Sequence, residues 1–319
     1  MNMILTPDRT YSKGLRLMGN HFQISVVADD EAMASKAIDE AITEIQRIEA
    51  LLTTYRESSQ TNMINEYAGV KPIPVDKEVF DLIERSLRIS ALTQGAFDIT
   101  YGSVDKKLWN FDTAMDKLPD PVVAKSLVRL INYRNVILNR NEQTVFLKER
   151  GMRIGFGGIG KGYAADRARM VLQRADVKSG VVNAAGDLTV WGNQADGNPW
   201  TIGVADPDRK NLPFASMQLT NASVATSGNY EKYVMIGGRK YSHTIDPKTG
   251  YPVQGIKSVT IITKNAEVAD AMATPIMVMG IKAGLNLINQ VKGIACVIID
   301  DNNGIYASKN INIKDAHEK

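Results

Sequence analysis

Residues 155–166 read GFGGIGKGYAAD, and they constrain the fold more than any other stretch because they satisfy two phosphate-binding patterns that belong to different architectures. As G-x-G-x-x-G (Gly155, Gly157, Gly160) the stretch predicts a strand, turn, helix, strand unit with parallel pairing. As G-x-x-x-x-G-K, with Lys161 in the lysine slot, it predicts a P-loop. Neither pattern is complete. A P-loop needs Ser or Thr after its lysine, because that hydroxyl binds magnesium, and here Gly162 follows. The run CVIID, ending at Asp300, imitates a Walker B strand, but apolar strands closing on Asp are common by chance. The dinucleotide reading wants an acidic residue about 20 positions onward, after a second parallel strand, and none stands there. Two readings remain. The glycines open an anion cradle at a helix N-terminus, or they merely permit close chain approach or positive φ.

The surrounding pattern favours sheets without regular parallel winding. HFQISVVA (21–28) reads as a strand, followed by a long helix with Ile38, Ile42, Ile45, Ile48 and Leu52 at helical spacing. The polar stretch TTYRESSQTNMINEY breaks that pattern, and Asp76 is placed to cap a second helix carrying Val79, Ile83 and Leu87 and ending near Gly95. NVILN and TVFLK form a predicted hairpin leading into the glycine loop, and YAADRARMVLQRA a helix after it. Strands then follow closely: GVVNAAGDLTVWG, WTIGVAD, SMQLTNASVATSG, and the pair YVMIGG and RKYSHTID around a Gly-Gly turn. The chain closes with strand SVTIIT, helix VADAMATPIMVMG, a further helix and the hairpin CVIIDDNNGIYAS. Strands outnumber crossover helices, which predicts an α+β fold: mixed or antiparallel sheets with helices packed on them.

Composition removes several function classes. The 319 residues, 44% hydrophobic, suffice for a sizeable core. The 38 basic and 35 acidic residues are interleaved, with no basic block or arginine-aromatic stripe, which argues against nucleic acid as a partner. No apolar run has the length of a membrane span, and MNMILTPDRTYSKG lacks the apolar core of a signal peptide, although a trimmed export signal would leave no trace. Cys296, the single cysteine, lies in GIACVIID and reads as a buried strand thiol.

Two polar clusters carry candidate chemistry. VADAMAT sets Asp270 and Thr274 four residues apart on one face of an apolar helix. A carboxylate there needs a partner. It is either a cap or ion-pair member, or, with the threonine, part of a hard-cation site of the kind Mg²⁺ completes with backbone and phosphate oxygens. SHTIDPKTGYP holds His243 at the end of a predicted strand beside a Pro/Gly turn. A lone histidine is commonly structural, yet this setting also suits a catalytic group on a rigid edge. GAFDITYG and the stretch around Tyr55 are weak alone, since Asp98 could simply cap a turn.

Taken in order, the segments LMGNHFQI, TTYRESSQTNMIN, TQGAFDIT, IGFGGIGKGYAAD, VVNAAGDL, VATSGNY, YSHTIDPKTGYPV and VADAMATPIMVMG resemble the ApbE family of FAD:protein FMN transferases. The pairing of SHxIDPxTG with ADAxAT is the most specific part of the likeness. The resemblance implies one α+β catalytic unit over 17–310, between an N-terminal extension (1–16) and a polar C-terminal tail (311–319). It implies FAD as substrate, Mg²⁺ as cofactor, a threonine of an acceptor protein as target and AMP as the other product. By position, the metal ligands would be the Gly158 carbonyl, Asp270 and Thr274, with the Ala273 carbonyl a further candidate. Met18, Tyr55, Ala96, Phe97, Asp98, Lys161 and Ile245 match FAD-contacting positions, Tyr55 against the flavin, and His243 matches the general base. Many relatives carry Asp at the position of Gly155, Lys or Glu at that of Lys161, and Gly at that of Ala185.

A pyrophosphate repels an incoming nucleophile until its charge is neutralised, which is the task of the cation and the loop amides. A threonine hydroxyl needs a base, and a neutral histidine has a suitable intrinsic pKa. The same residues would also serve a Mg²⁺-dependent FAD pyrophosphatase yielding FMN and AMP, and a third reading is a non-catalytic FAD-binding protein. The resemblance further suggests a periplasmic or cell-envelope location, with membrane association only through an N-terminal lipid anchor outside the given sequence.

Overall fold

The structure, a computed structural model, describes residues 9–104, 117–205, 213–229 and 233–311. In chain order its strands are β1 (Arg9–Leu17), β2 (Asn20–Ala28), β3 (Ile73–Pro74), β4 (Val136–Asn139), β5 (Thr144–Leu147), β6 (Ser179–Ala184), β7 (Asp187–Trp191), β8 (Trp200–Ala205), β9 (Pro213–Leu219), β10 (Ala222–Gly228), β11 (Tyr233–Ile236), β12 (Arg239–Ser242), β13 (Ile256–Thr263), β14 (Ala295–Asp300) and β15 (Ile305–Ala307). The helices are α1 (Glu31–Leu52), α2 (Gln60–Glu66), α3 (Lys77–Leu92), α4 (Pro121–Leu127), α5 (Gly160–Arg174), α6 (Ala266–Met279) and α7 (Ile281–Ile288).

An eight-stranded sheet in the order β1-β2-β6-β7-β10-β13-β14-β15 organises the molecule, and every one of its pairings is antiparallel. That arrangement agrees with the strand-rich sequence pattern and removes the parallel crossover that a dinucleotide fold requires. Alternation decides which face each residue meets. Phe22, Ile24, Val26 and Ala28 of β2 point into the layer of helices, while their odd-numbered neighbours face away. Helix α1 answers with Ala34, Ile38, Ile42, Ile45, Ile48 and Leu52, and its N-cap Asp30 accepts from the Met33 amide at 2.6 Å. Each fully buried Ile contributes about 1.5–3 kcal/mol of transfer free energy. Helices α1, α5, α6 and α7 then pack side by side across the sheet. The opposite face of its centre is covered by the β8–β9 hairpin through Trp200, Ile202, Leu188, Val190 and Val224.

Several local readings need revision. Residues 9–16, set apart above as an extension, form with Leu17 the edge strand β1, which pairs with β2 over its full length. The exposed pattern of β1 gives no apolar alternation by which a sequence could announce it. The polar stretch after α1 contains α2, capped by Ser59, whose hydroxyl accepts from the Asn62 amide at 3.1 Å. Seven residues with so few apolar positions cannot show a helical period. Asp76 does stand at the start of α3, but its side chain accepts from Gln60 Nε2 at 2.6 Å and makes no cap bond. Cys296 is buried in β14 as expected, and burial pushes its thiol up to about 12. Among the described residues no helix is long and apolar enough to cross a membrane. Residues 312–319 of the expected tail lie outside the described residues.

Candidate active site

The glycine loop ends at Ile159, and α5 starts at Gly160, so Lys161 and Gly162 belong to its first turn. None of Gly155, Gly157, Gly158, Gly160 and Gly162 has a positive φ, which rules out conformational freedom as the reason for them. Close approach is the reason at Gly162: a Cβ there would lie 2.1 Å from the Ala266 carbonyl oxygen at the start of α6. Only glycine lets the two helix N-termini meet.

Once they meet, each helix caps the other. Asp166 of α5 accepts from the Ala266 and Glu267 amides of α6 at 3.0 and 2.9 Å. Asp270 of α6 returns the contact, its Oδ2 accepting from the Gly162 amide at 3.0 Å. Neither helix has a capping side chain of its own, since Ile159 and Asn265 make no cap bond, and this exchange satisfies amides otherwise left open. Burial raises the Asp166 carboxyl, against the two amides that favour its charge. The capping alternative for Asp270 is therefore part of the structure.

Asp270 also belongs to an ion cluster. Lys161 Nζ contacts Asp187 Oδ2 directly and stands 3.5 Å from Asp270 Oδ1. Both carboxylates are buried. Burial works against the lysine charge, but Asp270 and Asp187 outweigh it and hold the ammonium above its ordinary pKa. Of these three groups one is positive and two are negative.

The anion cradle is narrower than the glycine count suggests. The Gly155 amide donates to the Ile99 carbonyl, those of Ile159 and Gly160 to that of Phe156, and that of Gly162 to Asp270. Among the described contacts the successive amides of Phe156, Gly157 and Gly158 have no acceptor. Beside Gly155 and Gly157 a Cβ would meet nothing within 4 Å, so the chain leaves open space where a phosphate could approach.

The other expected residues divide. Phe97 lies against Gly158, its ring 3.5 Å from the Cβ position, and Met18 reaches to 3.6 Å from that of Gly160. Met18 and Gly19 form the two-residue turn joining β1 to β2, both at positive φ (50° and 74°). Ala96 is buried beside Phe97. Asp98 caps the 3-10 turn Ile99–Ser103, Oδ1 accepting from the Thr100 amide and hydroxyl and Oδ2 from the Tyr133 amide. Burial raises its carboxyl, and these bonds oppose the shift. This is the turn-capping alternative, and any contact with FAD would be additional to it. Tyr101 of the same turn accepts from the Ile245 amide at 3.1 Å, which ties the glycine loop's neighbour to the strand end that bears half-buried His243. Thr274 shares a hydrogen bond with Ser227 of β10 at 3.0 Å. Tyr55 stands apart, 95% exposed in the loop after α1.

Asp187, Asp166 and Ser227 were not singled out from sequence. Asp187 had a signal, because it opens the strand-like run DLTVW, whose Leu188, Val190 and Trp191 mark a buried strand. A carboxylate in such a strand must have a partner.

The donor set fits a hard cation better than a soft one. Among the described residues no three His, Cys, Asp or Glu side chains cluster to hold a metal, so a Zn²⁺-type cage is absent there. A buried carboxylate at Asp270 with a hydroxyl one helical turn on at Thr274 would suit Mg²⁺, which draws its remaining ligands from backbone, phosphate and water oxygens.

Comparison with known proteins agrees with this layout. A FAD:protein FMN transferase of Klebsiella pneumoniae is 32% identical over 95% of this chain and 93% of its own length. One of Treponema pallidum is 29% identical over 95% and 88%. Among solved structures, the ApbE protein of Thermotoga maritima superposes with a TM-score of 0.85 at 31% identity, covering 94% of this chain and 97% of its own. The flavin transferase ApbE of Vibrio cholerae gives 0.83 at 25%, covering 95% and 98%. The model of the ApbE family matches residues 18–298, a span that takes in the β1–β2 turn, the glycine loop, His243 and the α5/α6 junction. With most of its length and the residues around α5 inside that match, the chain belongs to the ApbE family.

Proposed function

We propose that this chain transfers the FMN part of FAD to a threonine hydroxyl of an acceptor protein and releases AMP, with Mg²⁺ as the metal. The observation that carries the reading is the α5/α6 junction, where Asp270, Lys161 and the open amides of 156–158 gather at one helix start. The names of the Klebsiella and Treponema relatives support the choice of substrate and product class.

In this reading the threonine oxygen attacks the phosphorus on the FMN side, the bridging P–O bond breaks, and AMP leaves with the bridging oxygen. His243 takes the hydroxyl proton. The Phe156, Gly157 and Gly158 amides donate to phosphate oxygens and strengthen as charge builds on them. Asp270, Thr274 and the Gly158 carbonyl would hold the Mg²⁺, which supplies Lewis-acid neutralisation of the diphosphate. Met18, Ala96, Phe97 and Ile245 would bound the FAD, with Tyr55 free to stack on the flavin because nothing packs against its ring. An envelope location remains part of the proposal on the family resemblance, and cell fractionation tests it.

The test is incubation with FAD, Mg²⁺ and a threonine-bearing acceptor domain. The expected product is a covalently fluorescent acceptor of FMN-increased mass, and an unlabelled acceptor would count against transfer. Release of free FMN and AMP at the same rate without acceptor would point instead to hydrolysis.

A further inference from the structure

Lys161 divides itself unequally between two buried carboxylates. Its ammonium makes a direct hydrogen bond to Asp187, while Asp270 Oδ1 stays at 3.5 Å. The three groups are not equally mobile. Asp270 is pinned through Oδ2 to the Gly162 amide. Asp187 is pinned by its place at the head of β7, directly opposite Ala184 in the β6 register, within a wholly buried strand. The lysine alone has a long flexible stem, from the first turn of α5. It is the one of the three that can move between the carboxylates.

We infer that Asp187 is a positioning residue for the cation site: by holding the Lys161 ammonium it keeps that charge off Asp270 Oδ1 and leaves the oxygen available to a divalent cation. The inference rests on the reading of Asp270 and Thr274 as cation ligands. Without the Asp187 carboxylate, Asp270 is the remaining carboxylate that the structure places beside Nζ. The ammonium then closes onto Asp270, occupies its free lone pairs and repels an arriving cation. The charge count points the same way. Among these three groups, Asp187 supplies one of two negative charges; without it the Lys161 and Asp270 charges cancel. A carboxylate that never touches the metal would thus control its uptake, as residues behind the ligands often do.

Mn²⁺ serves as the probe, titrated into the FAD-saturated chain without acceptor, with free Mn²⁺ read by electron paramagnetic resonance and FAD occupancy by flavin fluorescence. Asp187→Asn is expected to weaken Mn²⁺ uptake about 10- to 100-fold. The double variant Asp187→Asn/Lys161→Met is expected to return it to near the wild-type value, because the competing ammonium is gone and one uncompensated carboxylate remains. A merely structural role for Asp187 would not be rescued by removing its partner. Lys161→Met alone, which keeps both carboxylates should Asp187→Asn fail to fold, is expected to bind at least as tightly as wild type. Wild-type uptake that is unchanged in Asp187→Asn, a double variant as weak as the single one, or a loss in Lys161→Met each overturns the inference and leaves the metal site standing. Failure of the wild-type chain to take up Mn²⁺ overturns both.

Discussion

Helix α5 carries two charge clusters, one at its start and one two turns in, and they are built on opposite principles. In the inner cluster Arg47 grips Glu44 and Glu78 bidentately at 2.7–2.9 Å, Arg167 adds bonds to Glu44 at 2.8 and 2.9 Å, and the Tyr163 hydroxyl donates to Glu78. Two arginines match two glutamates, and all four carboxylate oxygens have donors. At the helix start, Lys161 faces both Asp187 and Asp270, and among the described contacts one oxygen of Asp270 has only a distant ammonium. The inner cluster is electrically closed and joins α1, α3 and α5. The outer one leaves an oxygen of Asp270 without a close donor beside open backbone amides. A closed ion network holds a fold together, whereas an incomplete one at a helix N-terminus marks where something charged is still to bind.

The sharpest way to break this contrast is to remove one acid from each cluster. Asp270→Ala is expected to lower FMN transfer by on the order of 10³-fold or more, since it removes a proposed metal ligand. Glu44→Ala should leave turnover per folded molecule nearly unchanged and lower the melting temperature instead. Equal losses of turnover in the two variants would erase the distinction. His243→Ala should cost about 10²- to 10⁴-fold in transfer with an unaltered melting temperature, as expected of a base on an edge that does not hold the core together.

Gly162→Ala probes the contact that makes the outer cluster possible. Its Cβ would strike the Ala266 carbonyl, and separating α5 from α6 is expected to cost about 1–3 kcal/mol in denaturant unfolding together with a loss of cation uptake. The inner cluster is better tested by acid. The hydrogen bond from Arg47, helped by Arg167 and opposed by burial, holds the Glu44 carboxyl down to about 2 from its ordinary 4.5, and Arg47 lowers Glu78 in the same way. A carboxyl depressed in the folded state contributes its stability above the unfolded pKa and loses it as pH falls through the folded one. The melting temperature should therefore decline between pH 4.5 and 2, and less steeply in Glu44→Gln. The smallest effect belongs to the turn ahead of Asp187, where Ala185 is held at φ 56°. Ala185→Gly relieves a left-handed alanine and should stabilise by about 1 kcal/mol without altering transfer.

Much of the fold was legible because its signals are local. β2, α1, the β4–β5 and β11–β12 hairpins and α6 declare themselves by apolar period or by turn residues within a dozen positions. β1 and α2 were not legible, the first being an exposed edge and the second too short to show a period. The site was half legible. Asp270, Thr274 and His243 are polar residues in settings that demand an explanation, but Asp166 and Asp187 were not singled out, because the partners that give them a role lie far away along the chain.

By itself the chain determined most of its strands and helices, a preference against a parallel nucleotide fold, and which residue types were available for phosphate and cation chemistry. Tertiary structure alone decided that Asp166 and Asp270 cap each other's helices, that the amides of Gly155, Ile159, Gly160 and Gly162 are already used, and that Lys161 leans toward Asp187. The physical reason is range. Periodicity and turn chemistry act between neighbours along the chain, while charge and hydrogen bonding are settled by distances of a few ångströms between residues 108 positions apart in the case of Gly162 and Asp270.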